Sequence, residues 1–131
     1  MYYLLLVIRA RHAFFLTAAN PDIFTGGTGM ESKYKTLMKL SAELRPKTIL
    51  IKPGEDTALI KVKLNEAQID FPLIAKPDVG YRGLLVKKIK TEKELFDYLN
   101  KYKLDFLVQE LIDLPVEAGL LYYRFPDEEK G

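Results

Sequence analysis

Phe71-Pro72-Leu73-Ile74-Ala75-Lys76-Pro77-Asp78-Val79-Gly80-Tyr81-Arg82-Gly83 puts a short apolar run, one lysine and a glycine-flanked loop in direct succession. Leu73, Ile74 and Ala75, bounded by Pro72 and Pro77, read as a buried strand. Lys76 stands at its end, where an ammonium group can meet a phosphate while its stem stays packed. Gly80 and Gly83 carry no Cβ, so the backbone can come close to a ligand there. A strand followed by an ordinary turn would look much the same, because Gly and Pro punctuate loops of every kind.

The segments on either side bear on that choice. Leu84 to Ile89 reads as a second strand. Thr91-Glu92-Lys93-Glu94 is a capping box, with Leu95, Leu99 and Tyr102 at helical spacing behind it and Phe96 alongside. A helix is therefore expected from Thr91 to Lys103. Asp105 to Ile112 reads as a strand running into a hinge, Pro115 to Gly119 opens a further strand, and Leu120 to Arg124 is the last.

Upstream, Glu31 to Leu44 reads as a helix, with Leu37, Leu40, Ala42 and Leu44 supplying apolar content and lysines at 33, 35 and 39. Pro46 ends it. Thr48 to Ile51 is β-branched and apolar, a strand, and Pro53-Gly54 is a turn. Glu55 to Gln68 reads as a helix, although Ile60 and Val62 would suit a strand equally. Asn20-Pro21 and Gly26-Gly27-Thr28-Gly29 mark a loop. The expected organisation is an apolar segment and loop over residues 1–29, a main domain over 30–124, and a charged tail over 125–131.

Composition narrows the function classes. The chain of 131 residues is about one domain in length. Its hydrophobic content of 48% and charged content of 29% are those of a globular protein that buries a core. Twenty basic against eighteen acidic residues leave a net charge of +2, too balanced to point to nucleic acid. Without cysteine there is no disulfide framework or thiolate chemistry, and one histidine excludes a histidine metal cluster. A cytoplasmic location fits this cysteine usage.

Tyr2 to Ile8 and Ala13 to Ala19 are apolar, interrupted by Arg9, Arg11 and His12. A secretory signal places positive charge before its apolar run, and a spanning helix needs about 20 residues with few charges. Neither pattern is met. A buried or partner-facing segment is expected, with a membrane-surface helix as the alternative. Self-association through this segment is a further expectation. The abrupt apolar start suggests missing sequence upstream or an absent packing partner.

A Lys-Pro pair after an apolar strand, then Gly-x-x-Gly, a second strand, a helix, and a strand leading into a hinge resembles the nucleotide-binding half of ATP-grasp enzymes. The resemblance covers roughly residues 30 to 124 and is closest to the D-alanine–D-alanine ligase-like branch. It implies an α/β (α+β) fold: the ATP-binding subdomain, preceded by an incomplete linker or pre-domain, with the second ATP-grasp subdomain missing. It also implies roles for residues. Lys76 would neutralise the α- or β-phosphate, and the Asp78-to-Gly83 loop would cover the triphosphate through backbone N–H groups, with Arg82 adding a guanidinium fork. Tyr81 and Arg82 stand where that branch often has serines. Lys33, at a helix start, would also contact phosphates, with Lys35 as the alternative. Glu110 and Glu117, seven residues apart, would accept from the adenine amino group and the ribose hydroxyls, with Gln109 as the alternative to Glu110 by a one-place shift. Leu111 and Ile112 would read the adenine edge through their backbone, and Leu73, Val108 and Ile112 would sandwich the ring. Asn20, Gly26 and Gly27 are weaker candidates for a substrate-side loop, and His12 is expected to be structural or surface-exposed.

The function so implied is ATP-dependent activation of a carboxylate as an acyl phosphate, followed by attack of an amine or, more rarely, a thiol. Magnesium would bridge the phosphates. Its ligands are expected outside this chain, because the carboxylates of Asp127, Glu128 and Glu129 do not match the family's metal motif. No catalytic residue is assigned, and the isolated chain is expected to bind nucleotide weakly and without turnover. The rivals are a non-catalytic interaction module, with or without a membrane surface as partner, and a nucleotide sensor.

Overall fold

The computed structural model describes every residue except Met1, Pro21, Thr28, Tyr81, Arg82, Arg124, Pro126, Lys130 and Gly131. Its elements in order are helix α1 (Tyr2–Ala10), a 3-10 turn (Phe15–Ala19), helix α2 (Lys33–Leu37), a second 3-10 turn (Ala42–Leu44), strand β1 (Thr48–Ile51), helix α3 (Thr57–Glu66), strands β2 (Leu73–Pro77) and β3 (Lys87–Ile89), helix α4 (Glu92–Lys101) and strand β4 (Phe106–Glu110). The strands form one antiparallel sheet in the order β1-β4-β2-β3. The protein is thus a small mixed α/β domain.

Period-two alternation sorts the strand residues onto two faces. Ile49 and Ile51 of β1, Leu73 and Ala75 of β2, Ile89 of β3, and Phe106 and Val108 of β4 join Ile60 and Leu64 of α3 and Leu95 and Tyr98 of α4 in one buried cluster. The opposite face carries Ile74 and Lys76 of β2 beside Gln109 and Leu107 of β4, since Ile74 pairs with Gln109 and Lys76 with Leu107. Leu107 and Gln109 are themselves buried. The central strand β4 is therefore covered on both faces, and Phe106-Leu107-Val108 reads as a continuous apolar run.

Helix ends follow local chemistry. Asp56 Oδ1 accepts the Ala58 N–H at 2.7 Å, and Thr91 Oγ1 accepts the Glu94 N–H at 3.3 Å. Glu94 Oε2 reaches back to the Lys90 N–H at 2.9 Å, one residue before the expected N-cap amide.

Several expected elements are shorter or absent. The helix expected over Glu31 to Leu44 ends at Leu37. Leu40 and Leu44 are exposed, so nothing buries the stripe that would have prolonged it. The strand expected from Leu84 begins only at Lys87. Gly83 and Leu85 both hold positive φ, at 79° and 57°, which breaks the extended chain. Leu85 is held in that conformation by the Tyr98 hydroxyl, which donates to its carbonyl at 2.5 Å.

The strands expected over Pro115–Gly119 and Leu120–Arg124 are not formed among the described residues, and Leu120 is 98% exposed. Their composition favours extension, but among the described residues they pair with no strand of the sheet. Arg124 lies outside the described residues.

The apolar start is an exposed helix, not a buried segment. No residue of α1 is buried, and Tyr2 is 76% exposed. Its tie to the following turn is Tyr3, whose hydroxyl donates to the Ala13 carbonyl at 2.7 Å and whose ring stacks on Phe15 at 5.8 Å. No helix among the described residues is long and apolar enough to cross a membrane.

Candidate functional site

Lys76 owes its position to the alternation of β2. Leu73, Ala75 and Pro77 are buried, so Ile74 and Lys76 face away from the helices. Lys76 is half-buried, and its ammonium group has no hydrogen-bond or ion-pair partner among the described residues. Burial pulls its ammonium group below the ordinary lysine range, and the nearby positive charge of Lys33 lowers it further.

The loop after β2 is built around Lys33. Its Nζ donates to the carbonyls of Asp78 at 3.0 Å, Gly80 at 3.1 Å and Pro77 at 3.4 Å. The Lys33 backbone N–H also donates to Asp78 O at 3.2 Å, and the Tyr34 N–H to Asp78 Oδ1 at 2.7 Å. Asp78 is only 5% exposed, and its own N–H donates to Asp105 O at 2.9 Å. Ser32 Oγ takes the Lys35 N–H at 3.1 Å.

These bonds occupy the first three N–H groups of α2, the helix at whose start Lys33 was expected to contact phosphates. They also separate Lys33 from Lys35. Lys33 lines the cavity that Lys76 enters, whereas Lys35 lines a neighbouring one with Asp22, Ser32 and Lys39.

The Lys76 cavity has a volume of about 560 Å³. Its polar lining includes Lys33, Lys76, Glu31 and the backbone of Gly80; Met30, Leu37 and Leu40 supply apolar wall. A narrow recess between Lys33 and Lys76 continues to Gly83, Leu84 and Val86. Glu31 is already engaged: Oε1 accepts the Thr25 hydroxyl and, at 2.8 Å, the Gly29 N–H. Those two bonds hold its carboxyl below the usual range.

Gly80 and Gly83 differ in what they require. A Cβ on Gly80 would sit 3.5 Å from Pro77 Cβ and 3.9 Å from Lys33 Nζ, ordinary contact distances. Gly83 has φ +79° with open space around it, so only backbone conformation opposes a side chain there. Gly83→Ala is expected to cost about 1–2 kcal/mol, and Gly80→Ala much less. Urea denaturation of the two variants checks this, and equal losses would contradict it. Arg82 lies outside the described residues.

The expected hinge is not assembled. Gln109, on the Lys76 face, donates from Nε2 to Thr48 Oγ1 at 2.8 Å. Glu110 has the opposite parity, and its Oε1 accepts the Lys47 N–H at 2.8 Å, tying down the start of β1. Leu111 is half-buried, while Ile112 and Glu117 lie in the exposed segment that follows β4. Leu73 and Val108, expected against the adenine ring, belong to the core on the other face. Gln109 is thus the member of the Gln109–Glu110 pair that shares a face with Lys76.

Of the weaker candidates, Gly27 lines the Lys76 cavity, and Asn20 Nδ2 donates to Gly26 O at 3.3 Å. His12 accepts the Phe14 N–H at 3.2 Å through Nδ1 and lies outside the cavity. Asp78 was not singled out in the sequence. An aspartate after Lys-Pro reads as a turn residue, and its bond to Tyr34 spans 44 positions. Among the described residues, no group of three or more His, Cys, Asp or Glu side chains is placed to hold a metal ion.

Comparison of the chain with protein-family models, with curated proteins and with solved structures finds no match in any of the three.

Proposed function

We propose that this domain binds the phosphates of ATP at Lys76, as the nucleotide-binding part of an ATP-grasp-type ligase that activates a carboxylate as an acyl phosphate for attack by an amine or thiol. One observation supports the reading: a half-buried ammonium group with no ion-pair partner among the described residues faces a cavity beside a glycine loop. Such a charge costs free energy in the unliganded fold, and a polyphosphate would offset that cost. The resembled sequence of strand, Lys-Pro, glycine loop, strand, helix and strand also runs continuously through β2, β3, α4 and β4.

Magnesium does not find a ready ligand set among the described residues. Glu31, the carboxylate lining the cavity, is held by Thr25 and Gly29. The role assigned to this chain is therefore to bind and orient phosphates. Gln109 shares the sheet face of Lys76, and Glu117 lies in the exposed segment after β4.

Thermal denaturation with ATP and with adenosine tests the proposal. A ligand at a hundred times its Kd stabilises by about 2.7 kcal/mol, so ATP is expected to raise the midpoint by several degrees and adenosine by far less. Equal responses to the two would remove the phosphate site. A second reading, a non-catalytic interaction module, rests on the exposed apolar helix α1 with Arg9 in its last turn. It expects binding to anionic vesicles and no response to ATP.

A further inference from the structure

We propose that Lys33 is a positioning residue that fixes the phosphate-facing loop by its backbone carbonyls, and is not itself a ligand of the phosphates. This role rests on the reading of the Lys76 cavity as an anion site. Three of the ammonium group's contacts are carbonyl oxygens, from residues 77, 78 and 80, at 3.0 to 3.4 Å. An ammonium group has three N–H donors, so these contacts occupy its capacity. The neighbouring Lys76 has no such partner among the described residues.

The consequence follows from peptide geometry. In a trans peptide the N–H points opposite to the carbonyl of the residue before it. With the Asp78 carbonyl turned to Lys33, the Val79 N–H is directed away from Lys33, and it has no acceptor among the described residues. Lys33 thereby sets which way the peptide units of the loop face. Asp78 completes the clamp from the loop side, since its carboxylate takes the Tyr34 N–H at 2.7 Å while its carbonyl takes both donors of Lys33. The two lysines divide the work: one orders the loop, and the other is left to meet the anion.

Hydrogen exchange without nucleotide reads the clamp directly. Lys33→Met is expected to speed exchange of the Tyr34 amide, which bonds Asp78 Oδ1, and of the Val86 amide, which bonds Gly83 O, by about tenfold or more, leaving β2 and β4 protected. Lys76→Met is expected to leave both amides unchanged. ATP affinity of the same variants, measured at low and high salt, separates ligand from positioner. Loss of a phosphate ligand flattens the salt dependence, whereas loss of a positioning residue weakens binding and keeps it. If Lys33→Met does not fold, Lys33→Gln, with a shorter neutral donor, is measured in the same way.

Unchanged exchange of both amides, or a flattened salt dependence in the Lys33 variant, overturns the proposal. A loosened loop in the Lys33 variant together with ATP binding indifferent to Lys76→Met would support the clamp and remove the phosphate reading instead.

Discussion

Lys76→Met is expected to make the unliganded protein more stable and to weaken ATP binding by at least an order of magnitude. The two effects have one origin. The ammonium group is half-buried and repelled by Lys33, and no carboxylate among the described residues answers it. Methionine keeps the unbranched stem and removes the charge. Because the side chain is partly exposed and screened, the gain is modest, on the order of 0.5 kcal/mol, or a few degrees in the midpoint.

Binding moves the other way. A hydrogen bond to a charged partner contributes about 1.5–3 kcal/mol, which corresponds to roughly 10- to 100-fold in affinity. The pH dependence follows from the direction of the shift. Lys76 loses its proton in the folded state before an ordinary lysine would. The unfolded chain then holds the extra proton, so stability rises with pH between the folded value and the ordinary one. ATP affinity falls over the same interval. Calorimetric unfolding and titration of wild type and variant check both signs. A variant less stable than wild type, with unaltered ATP affinity, would make Lys76 a structural residue.

Phe106→Ala is expected to cost about 3–5 kcal/mol, a large share of the roughly 5–15 kcal/mol that stabilises a domain. Phe106 is fully buried in the central strand, with its ring 5.2 Å from Tyr98 and 6.4 Å from Tyr102. Truncation leaves a cavity where β4 meets α4 and removes both aromatic contacts. The Lys76 face would suffer with it, because Leu107 pairs with Lys76 in the next step of the same ladder. Urea denaturation gives the number directly, and a loss below about 1 kcal/mol would show that the core lies elsewhere.

Elements with strong local signals were legible in the sequence. The apolar runs of β1, β2 and β4 and the threonine-capped α4 form close to where their residues place them, and the segment after Pro53-Gly54, which a strand would have suited equally, is the helix α3. What was not legible depended on partners distant in the chain. Leu40 and Leu44 look like the continuation of an amphipathic helix, but only the folded sheet decides that nothing packs on them. Leu120 to Tyr123 have strand composition and pair with no strand among the described residues.

The candidate site divides in the same way. Lys76 and the glycine loop were readable because strand end and loop are adjacent in the sequence. Lys33 was readable as a cation but not as a clamp, because its acceptors lie 44 to 47 residues away. Which of Gln109 and Glu110 shares a face with Lys76 turns on a one-residue register that composition does not specify.

The measurement that bears most directly on the central claim is an NMR titration of the Lys76 side chain, with and without ATP. Without nucleotide, Lys76 is expected to titrate below the ordinary lysine range; with ATP bound, the phosphate charge should move that value upward. An ordinary value that ATP leaves in place would contradict the assignment of Lys76 as the phosphate-binding group.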